Sequence, residues 1–501
     1  MLRLRDLGID TFNEPVVFIH EQAVRAGQLG FRPLDRVRVV GTHPSAGTRR
    51  ELGAVLNFVS DDFLAPDEIG LSRLAFRDLG LPVGTPVVAT LAPAPASVDL
   101  VRGKLAGERL DRAAFDAIIG EVVERRYSKV ELTMFVLACA LRRLDEGELV
   151  DFTRAMIARG AQLDFGPGPV ADKHCIGGIP GNRTTLIVVP ILAALGVKVP
   201  KTSSRAITSP AGTADTMGVL ADVALAPARL REIVDRTGGC IAWGGALELA
   251  PADDIMITVE RPMGIDTGAQ MVASILAKKK TAGATHALID VPLGETAKVR
   301  SADEAHYLAS LFRAVARAIG LEVDVVVTHA AAPIGRGIGP RLETIDVLAV
   351  LRRAADAPVE LREKALYLAA RILELVGAVA PGEGYRRARE ALDSGAAERK
   401  LEEIVDAQGR CAPVPEAPHR CAVAATVDGR VGAIDCWAIA KIAKLAGAPA
   451  SPAAGVWLTR GLGDVVARGE PLYVIHAQTA EQLSFAREFA EAHPEIYGFG
   501  Y

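Results

Sequence analysis

The segment with the most chemical potential is a glycine-rich stretch at residues 171–190, ADKHCIGGIPGNRTTLIVVP. Glycines let backbone N–H groups approach a ligand without interference from a Cβ atom. A glycine-rich loop that opens a helix binds anions, because unpaired N–H groups and the helix dipole face the ligand. The spacing matches neither GxxxxGK[ST] nor GxGxxG, so nucleotide loops with those signatures are not indicated. The candidate residues are Lys173, His174, Gly177, Gly178, Gly181, Thr184 and Thr185.

The same glycines are also typical of a tight turn between a strand and a helix. For the glycines alone, the two interpretations are about equally good. The additional lysine, histidine, asparagine, arginine and two threonines in this short stretch favour the anion site.

A second polar cluster surrounds Arg205 at residues 201–217, KTSSRAITSPAGTADTM. An arginine fork with several hydroxyls suits an oxyanion such as phosphate. Each serine or threonine, taken singly, is more typical of a helix cap or a turn. Their density next to the first loop favours function. The hydroxyl residues are Thr202, Ser203, Ser204, Thr208, Ser209 and Thr213.

A third segment is a predicted helix that follows Asp266, within residues 260–280. Asp266 by itself reads as an N-cap. Ser274 and Lys278 lie four residues apart, so one helix face presents both. The lysine run at 278–280 is expected to be a solvated helix C-terminus. Lys298 alone would be an ordinary exposed lysine, and the glycine-rich helix start at 335–348 is expected to be mainly structural, with a ligand-side role possible.

These loops need elements to position them, and the patterns change along the chain. Short β-branched runs to about residue 88 predict a small β-rich domain, and apolar spacings of three and four predict helices at about 100–163. Residues 168–245 have an αβ pattern, followed by a helical piece at 252–282, and HALIDVPLG and LEVDVVVTHA read as buried strands. Helices are expected at 303–319, 340–355 and 360–377. After a boundary near 415, β-type runs surround one predicted helix, DCWAIAKIAKLAG.

Composition limits the function classes. The chain has 501 residues, half of them hydrophobic, and a formal net charge of −4. Such a chain has enough apolar material for several domains, and it is not a bulk electrostatic binder of nucleic acid or membrane surfaces. The six cysteines form no CxxC pair, and no metal-binding spacing appears. With no apolar signal core and no long apolar span, a soluble, cytoplasmic protein is expected.

Three of these segments, in this order, resemble the thymidine and pyrimidine-nucleoside phosphorylase family, and especially its AMP phosphorylase branch. DKHCIGGIPGNRTT resembles the family's D-K-H-S-x-G-G loop, and SSRAITSPAGTAD resembles its S-x-R-x-x-x-x-x-x-G-T-x-D signature. IDTGAQMVASILAKKK resembles its base-facing helix. The likeness extends from about residue 90 to the C-terminus, and an extra N-terminal β domain is itself a feature of the AMP phosphorylase branch.

The resemblance implies a multidomain α/β fold and phosphorolysis, in which inorganic phosphate attacks the anomeric carbon and the base departs. It implies no cofactor, with phosphate as co-substrate, and a homodimer or larger homo-oligomer. The implied domains are a small β-rich domain for assembly (1–88), an all-α domain in two stretches (89–165 and 251–283), a large α/β domain (166–250 and 284–414) and a C-terminal α+β domain (415–501).

The resemblance also implies roles for single residues. Asp266 matches a proton donor and His174 a proposed acid. Lys173, Thr185 and Ser203 match phosphate-side positions. The implied substrate contacts are Gly178, Ser204, Arg205, Ala206, Ile207, Thr208, Ser209, Thr213, Ser274 and Lys298.

Two positions depart from the family pattern. Cys175 replaces a serine, which exchanges a strong hydroxyl donor for a weak thiol donor. Either the affinity for phosphate is lower, or a neighbouring Ser or Thr compensates. Val259 lies where thymidine phosphorylases have an arginine that contacts the pyrimidine, although Arg261 is nearby. The second departure favours nucleoside 5′-monophosphates, AMP above all and also CMP and UMP, over thymidine.

Two alternatives stay open. One is a thymidine phosphorylase that acts on unphosphorylated deoxynucleosides. The other is a carrier or interaction module, because TRGLGDVVARGEPLYVIHA resembles the hairpin of biotinyl and lipoyl domains. That stretch lacks the lysine that would take the cofactor, so we interpret it as a structural relative.

Overall fold

The computed structural model describes residues 1–11, 14–27, 30–206, 209–265 and 267–500. The chain divides into two compact units. The first contains Met1–Arg159 and Ala250–Ser274, and the second contains Gly160–Leu249 and Ile275–Tyr501.

The first unit begins with a closed six-stranded barrel in the order β1-β5-β2-β4-β3-β6. Its strands alternate apolar residues that face the barrel core with residues outside it, as half-buried strands do. Val37 and Val39 of β3, for example, are fully buried, whereas Arg38 between them is exposed. The barrel elements are β1 Leu2–Asp6, β2 Val16–His20, α1 Glu21–Gly27, β3 Arg36–Thr42, β4 Arg49–Val59, β5 Glu68–Leu71, α2 Arg73–Leu79 and β6 Pro86–Leu91.

Helices form the rest of the first unit. Asp111 and Ser128 cap two of them, and Glu131 completes a capping box with Ser128. The helices are α3 Val98–Ala106, α4 Arg112–Val123, α5 Lys129–Leu141 and α6 Glu146–Arg159. A helix from later in the chain, α10 Pro251–Met263, packs against α4, α5 and α6. The next helix, α11 Gly268–Thr281, runs from the first unit into the second.

The second unit contains parallel strands, and β10 at the centre of its three-stranded sheet is buried along nearly its whole length, as expected for an α/β layer. Three strands pair in the order β11-β10-β7, two more pair as β8-β9, and a parallel bridge joins Val170 to Lys198. The carboxyl ends of these strands lie at one edge, where α/β proteins bind ligands. The strands are β7 Ala171–Cys175, β8 Val199–Ser203, β9 Gly239–Trp243, β10 His286–Leu293 and β11 Glu322–His329.

Helices cover this sheet and share one apolar core with it. At its centre is α7 Thr185–Ala194, which is buried from Thr185 to Ala193 and packs against α14 and α16. The other helices are α8 Thr213–Met217, α9 Pro227–Thr237, α12 Ala302–Ala318, α13 Pro340–Leu351, α14 Val359–Leu375, α15 Gly384–Asp393 and α16 Ala396–Gln408, with a short 3₁₀ turn at Gly244–Ala246.

The C-terminal part has two antiparallel sheets, β12-β15-β17-β13 and β16-β14-β18, around a core of its own. The prediction of one helix here is wrong, because α18 packs beside α17. The Thr479 hydroxyl and Gln482 form a capping box at its start. The elements are β12 Gly337–Ile338, β13 His419–Ala424, β14 Gly429–Ile434, α17 Cys436–Leu445, β15 Gly455–Leu458, β16 Val465–Val466, β17 Pro471–Ala477, α18 Ala480–Ala492, a 3₁₀ turn at Pro494–Ile496, and β18 Tyr497–Gly500.

Within the described ranges, none of the helices combines the length and the apolar character needed to cross a bilayer. The predicted multidomain α/β class is confirmed: a small β-rich barrel, helices, an α/β layer and a C-terminal α+β part follow one another along the chain.

Candidate functional site

Lys173 lies near the carboxyl end of β7 and is almost completely buried, with 1 % of its surface exposed. Its Nζ atom donates a hydrogen bond to Thr184 Oγ1 at 2.9 Å. Burial lowers the pKa of Lys173, while the Cys175 sulfur and the Asp290 carboxylate oppose that shift. The ammonium group is therefore held beside the residue just before α7, where the helix dipole also favours an anion.

Asp290, in the middle of β10, supplies the counter-charge for this lysine and is completely buried. Its carboxylate lies 4.0 Å from Lys173 Nζ and 3.1 Å from Lys364 Nζ. The Thr328 hydroxyl donates to Asp290 Oδ1 at 2.6 Å. Burial raises the pKa of Asp290, but the charges of Lys173 and Lys364 outweigh it and lower the pKa overall. One ionised aspartate thus faces two lysines, which leaves this pocket with an excess of positive charge.

Asp290 and Lys364 were not among the predicted site residues. The available signal was a single acidic residue inside the apolar strand HALIDVPL. A charge in such a run is costly unless it is paired. Its partner on α14 is distant in sequence, so the pattern alone could not identify Lys364.

The glycines of the first loop adopt backbone conformations that other residues rarely adopt. Gly177, Gly178 and Gly181 have φ values of 95°, 97° and 75°. A Cβ atom at Gly178 would lie 2.5 Å from the backbone nitrogen of Lys298, whereas Gly177 has open space at that position. Gly178 is therefore required for close approach to Lys298, and both are predicted substrate contacts.

Cys175 sits at the end of β7 and accepts a hydrogen bond from Asn182 Nδ2 at 3.3 Å. Burial raises the pKa of its thiol, so the thiol stays protonated near neutral pH. Asn182 Oδ1 in turn accepts a hydrogen bond from the Thr184 hydroxyl at 3.3 Å. Asn182 thus connects Cys175 to Thr184, just before the start of α7.

A buried ion pair ties the first loop to the second. Arg183 Nη1 donates to Thr213 Oγ1 at 3.2 Å, and Nη2 donates to the carbonyl oxygen of Ala211 at 2.9 Å. Arg183 Nε pairs closely with Glu343, which also accepts a hydrogen bond from Thr216 at 3.1 Å. Burial raises the pKa of Glu343, and the nearby positive charge of Arg183 only partly offsets this rise. Because Glu343 lies in the segment at 335–348, that segment has a structural role, as predicted.

The second loop begins at Ser203, the last residue of β8, and is organised by Asp215. Asp215 Oδ2 accepts hydrogen bonds from the backbone nitrogens of Ala206 and Gly212, at 2.6 Å and 2.9 Å. The carboxylate therefore closes the loop at its two ends. Arg205, directly before Ala206, is exposed, and its Cζ atom lies 4.9 Å from the ring centroid of Trp243.

His174 faces a second buried cluster on the other side of β7. Asp172 pairs with Lys201 at 3.1 Å and with Lys279 at 2.8 Å. Burial, followed by the charges of Lys279 and Lys201, lowers the pKa of His174 well below its ordinary value. The imidazole is therefore neutral at physiological pH, where it can donate a hydrogen bond. Its role as an acid stays a prediction.

The prediction of a solvated lysine run on α11 is wrong for Lys279, which is 3 % exposed. Burial lowers its pKa, and its pairing with Asp172 opposes that change. Only Lys278 and Lys280 are partly exposed, as helix geometry dictates for the neighbours of a buried residue.

Three contacts connect predicted residues of the second unit to one another or to their surroundings. Contacts link Lys173 to the start of α7, Gly178 to Lys298, and Thr213 to Arg183. Lys298 is exposed, and Thr185 is buried in the first turn of α7. Ser274 belongs to the first unit, where it is half-buried on α11. Ser204 is exposed, and Ser209 donates to the carbonyl oxygen of Ala211 at 2.9 Å.

Three predicted residues, Asp266, Ile207 and Thr208, lie outside the described residues. Within the described ranges, His, Cys, Asp and Glu side chains form no group of three or more that could hold a metal ion.

Family models of known proteins match three segments that together cover most of the chain. The helical bundle domain of a glycosyl transferase family matches residues 98–160, and the a/b domain of that family matches residues 167–398. The pyrimidine nucleoside phosphorylase C-terminal domain matches residues 430–496.

Similar whole proteins were also found. "Putative thymidine phosphorylase 1" of Acidovorax sp. (strain JS42) is 51 % identical over 496 residues, covering 99 % of this chain and 96 % of that protein. "Putative thymidine phosphorylase" of Methylococcus capsulatus (strain ATCC 33009 / NCIMB 11132 / Bath) is 49 % identical over 491 residues, covering 97 % and 94 %.

Among solved structures, anthranilate phosphoribosyltransferase (TrpD) from Thermus thermophilus matches with a TM-score of 0.53 and 22 % identity. The match covers 62 % of this chain and 99 % of that chain. This likeness shows a shared fold.

Proposed function

The chain belongs to the thymidine and pyrimidine-nucleoside phosphorylase family and is a pentosyltransferase, and we propose that it cleaves nucleoside 5′-monophosphates, AMP above all, with inorganic phosphate. The products are the free base and ribose 1,5-bisphosphate. CMP and UMP are further substrates in this proposal. No cofactor takes part, and phosphate is a co-substrate.

The observation that carries the proposal is the presence of two separate cationic positions in the second unit. Lys173 is buried beside the start of α7, whereas Arg205 is exposed on the second loop. A nucleoside phosphorylase needs one anion position, for inorganic phosphate. A nucleoside 5′-monophosphate brings a second phosphate, and an exposed guanidinium with neighbouring hydroxyls suits it.

In the proposed reaction, a phosphate oxygen attacks C1′ of the ribose as the bond from C1′ to the base nitrogen breaks. The nucleophile is already anionic, so the protein mainly has to position it. Lys173, with Thr184 and Thr185 at the start of α7, would bind this phosphate. The excess positive charge around Asp290 then offsets the charge of the bound anion.

Bond cleavage leaves positive charge on the ribose and negative charge on the base. A proton delivered to the base nitrogen lowers this barrier, and an acid with a raised pKa suits that step. Asp266 takes this role in our proposal, on the basis of the family resemblance. His174, neutral because of its surroundings, would donate a hydrogen bond rather than a proton.

Thymidine phosphorolysis is the second candidate, and the names of the relatives favour it: the proteins of Acidovorax and Methylococcus are both called putative thymidine phosphorylases. In that case the products are thymine and 2-deoxyribose 1-phosphate, and Arg205 has no 5′-phosphate to bind. A carrier role stays the candidate from a different class, and mass spectrometry that detects a biotinyl or lipoyl adduct would support it.

A substrate panel separates the two phosphorylases. The purified chain is incubated with phosphate and AMP, CMP, UMP or thymidine, and release of the base is measured by chromatography. We expect base release from AMP that depends on phosphate, with formation of ribose 1,5-bisphosphate. Release from thymidine alone would reject the proposal. We also propose a homodimer or larger homo-oligomer, which light scattering on the same preparation tests.

A further inference from the structure

The Arg205 guanidinium lies against an aromatic ring. Its Cζ atom lies 4.9 Å from the centroid of the Trp243 ring, within the range of a cation–π interaction. In the part of the chain that the structure describes, no carboxylate forms an ion pair with Arg205. Among the described residues, the side chain is thus oriented by a contact that does not neutralise its positive charge.

Trp243 is itself fixed by the sheet. It is the last residue of β9, directly opposite Ser203 of β8 in the parallel register. Its backbone nitrogen donates to the carbonyl oxygen of Val223 at 2.7 Å, and its partly buried ring packs against the apolar core of the α/β layer. A tryptophan held by a strand end and a core is a rigid support.

Gly245 leaves room for this ring. A Cβ atom at Gly245 would lie 2.6 Å from Cζ2 and 2.9 Å from Nε1 of Trp243. Such separations are far inside van der Waals contact, so any other residue at 245 would displace the indole or the loop. Gly245 thus leaves the space that the Trp243 ring occupies.

We propose that Trp243 is a positioning residue that orients Arg205 toward the phosphate ester of a nucleotide substrate, and that it thereby sets the preference for phosphorylated over unphosphorylated nucleosides. This inference rests on the proposed nucleotide phosphorolysis. An aspartate or glutamate could also hold the arginine, but it would compete with the substrate phosphate for the same N–H groups. The indole face holds the planar guanidinium without that competition.

Positioning matters because a free arginine side chain loses rotamer entropy when it binds a ligand. A guanidinium that already rests on a ring has lost part of that freedom before the substrate arrives. The effect should therefore appear in the KM for the nucleotide. It should not appear in the binding of inorganic phosphate, because the proposed phosphate residues Lys173 and Thr184 contact each other and not Trp243.

The test compares Trp243→Leu with Trp243→Phe, which keeps an aromatic face. For Trp243→Leu we expect the KM for AMP to rise roughly fivefold, as the loss of a partly exposed cation–π contact implies. The KM for inorganic phosphate and the inhibition constant of adenosine should stay near wild-type values. Trp243→Phe should recover most of the affinity for AMP.

A double-mutant cycle with Arg205→Ala shows whether Trp243 acts through the arginine. In the Arg205→Ala background, Trp243→Leu should cause little further change. Trp457→Leu is the matched control, because Trp457 lies under Arg336 at 5.1 Å in β15 and its loss tests general destabilisation. This control should lower thermal stability without changing the KM for AMP.

The outcomes are distinguishable from a failure of the proposed function. If the wild-type protein releases base from thymidine and not from AMP, the nucleotide activity itself is rejected, and the role of Trp243 with it. If the wild type uses AMP but Trp243→Leu leaves its KM unchanged, only the positioning role is rejected. Equal weakening of AMP and adenosine, or additive effects in the cycle, would also overturn it, because the ring would then contact the base or ribose.

Discussion

Arg183 in the first loop donates from Nη1 to Thr213 Oγ1 in the second loop, at 3.2 Å. The same guanidinium is paired with buried Glu343 on α13. Two loops that are separate in the sequence are therefore held in one arrangement by a residue that was not itself a predicted ligand contact. Any ligand that uses both loops depends on this ion pair.

We expect Glu343→Gln to destabilise the protein strongly. Removal of the carboxylate charge leaves the Arg183 cation buried and without its counter-charge, which costs about 3–5 kcal/mol in comparable buried pairs. Thermal or urea unfolding measures the change. Glu491→Gln, which removes one side of an exposed pair with Arg487 on α18, is the control and should change stability by less than about 1 kcal/mol. Similar losses in both variants would show that the Arg183 pair has no special importance.

Asp290→Asn tests whether the aspartate orients Lys173, the lysine that we propose binds phosphate. Lys173 and Lys364 would lose their shared counter-charge, so their mutual repulsion should displace or deprotonate Lys173. We expect the KM for inorganic phosphate to rise by about tenfold or more, as for the loss of a charge-assisted contact.

The control for Asp290 is Asp235→Asn on α9, an exposed aspartate 3.9 Å from Arg231. It should leave the KM for phosphate unchanged. A near-normal KM in Asp290→Asn would mean that Thr184 alone is sufficient to position Lys173.

Local patterns predicted the two loops well. The two threonines at 184 and 185 indicated a helix start, and α7 begins there. The glycines at 177, 178 and 181, expected to allow close approach of the backbone, have positive φ in the structure. The ion pairs that support the loops were not predicted. Asp290 meets Lys364 across 74 residues of chain and Arg183 meets Glu343 across 160. Such long-range contacts have no local periodicity, so a single sequence cannot reveal them.

Lys279 illustrates the same limit. Its position in a run of three lysines at the end of a helix is typical of a solvated terminus, and the helix dipole supports that interpretation. The face on which Lys279 lies is instead buried against Asp172 of β7. Which of three adjacent lysines points inward depends on helix rotation relative to the sheet, and composition carries no information on it.

Cys175 should tolerate replacement by serine and gain from it. The thiol accepts a hydrogen bond from Asn182 and is a weak donor, whereas a hydroxyl donates strongly to an anion. We expect Cys175→Ser to lower the KM for phosphate a few-fold. An unchanged or higher KM would indicate that Asn182 already provides the missing donor.

A chemical measurement accompanies the Cys175 prediction. Because burial raises the pKa of this thiol, it should react slowly with iodoacetamide at neutral pH, whereas exposed Cys411 should react first. Peptide mapping by mass spectrometry after limited alkylation identifies the modified cysteine. Rapid modification of Cys175 would contradict the buried, protonated thiol.

Asp266→Asn tests the acid assigned by family resemblance. The amide cannot deliver a proton to the leaving base, so kcat should fall by roughly a hundredfold or more, as for the loss of a general acid. Nucleotide binding should be largely retained. If the variant turns over AMP at near the wild-type rate, Asp266 is not the acid and serves only as a helix cap.

His174 should make stability depend on pH. Its folded-state pKa is lowered well below 6.5 by burial and by Lys279, Lys201 and Lys173, whereas an unfolded chain has the ordinary value. Between these two values the unfolded chain binds a proton that the native protein does not. The free energy of unfolding therefore falls as the pH drops below about 6.5.

His174→Gln cannot be protonated. Its free energy of unfolding, measured with urea, should therefore fall less than that of the wild type between about pH 7.5 and pH 5.5. His306→Gln, at an exposed position on α12, is the control and should keep the wild-type slope. A His174→Gln slope equal to that of the wild type would show that the imidazole is protonated equally in the folded and unfolded states.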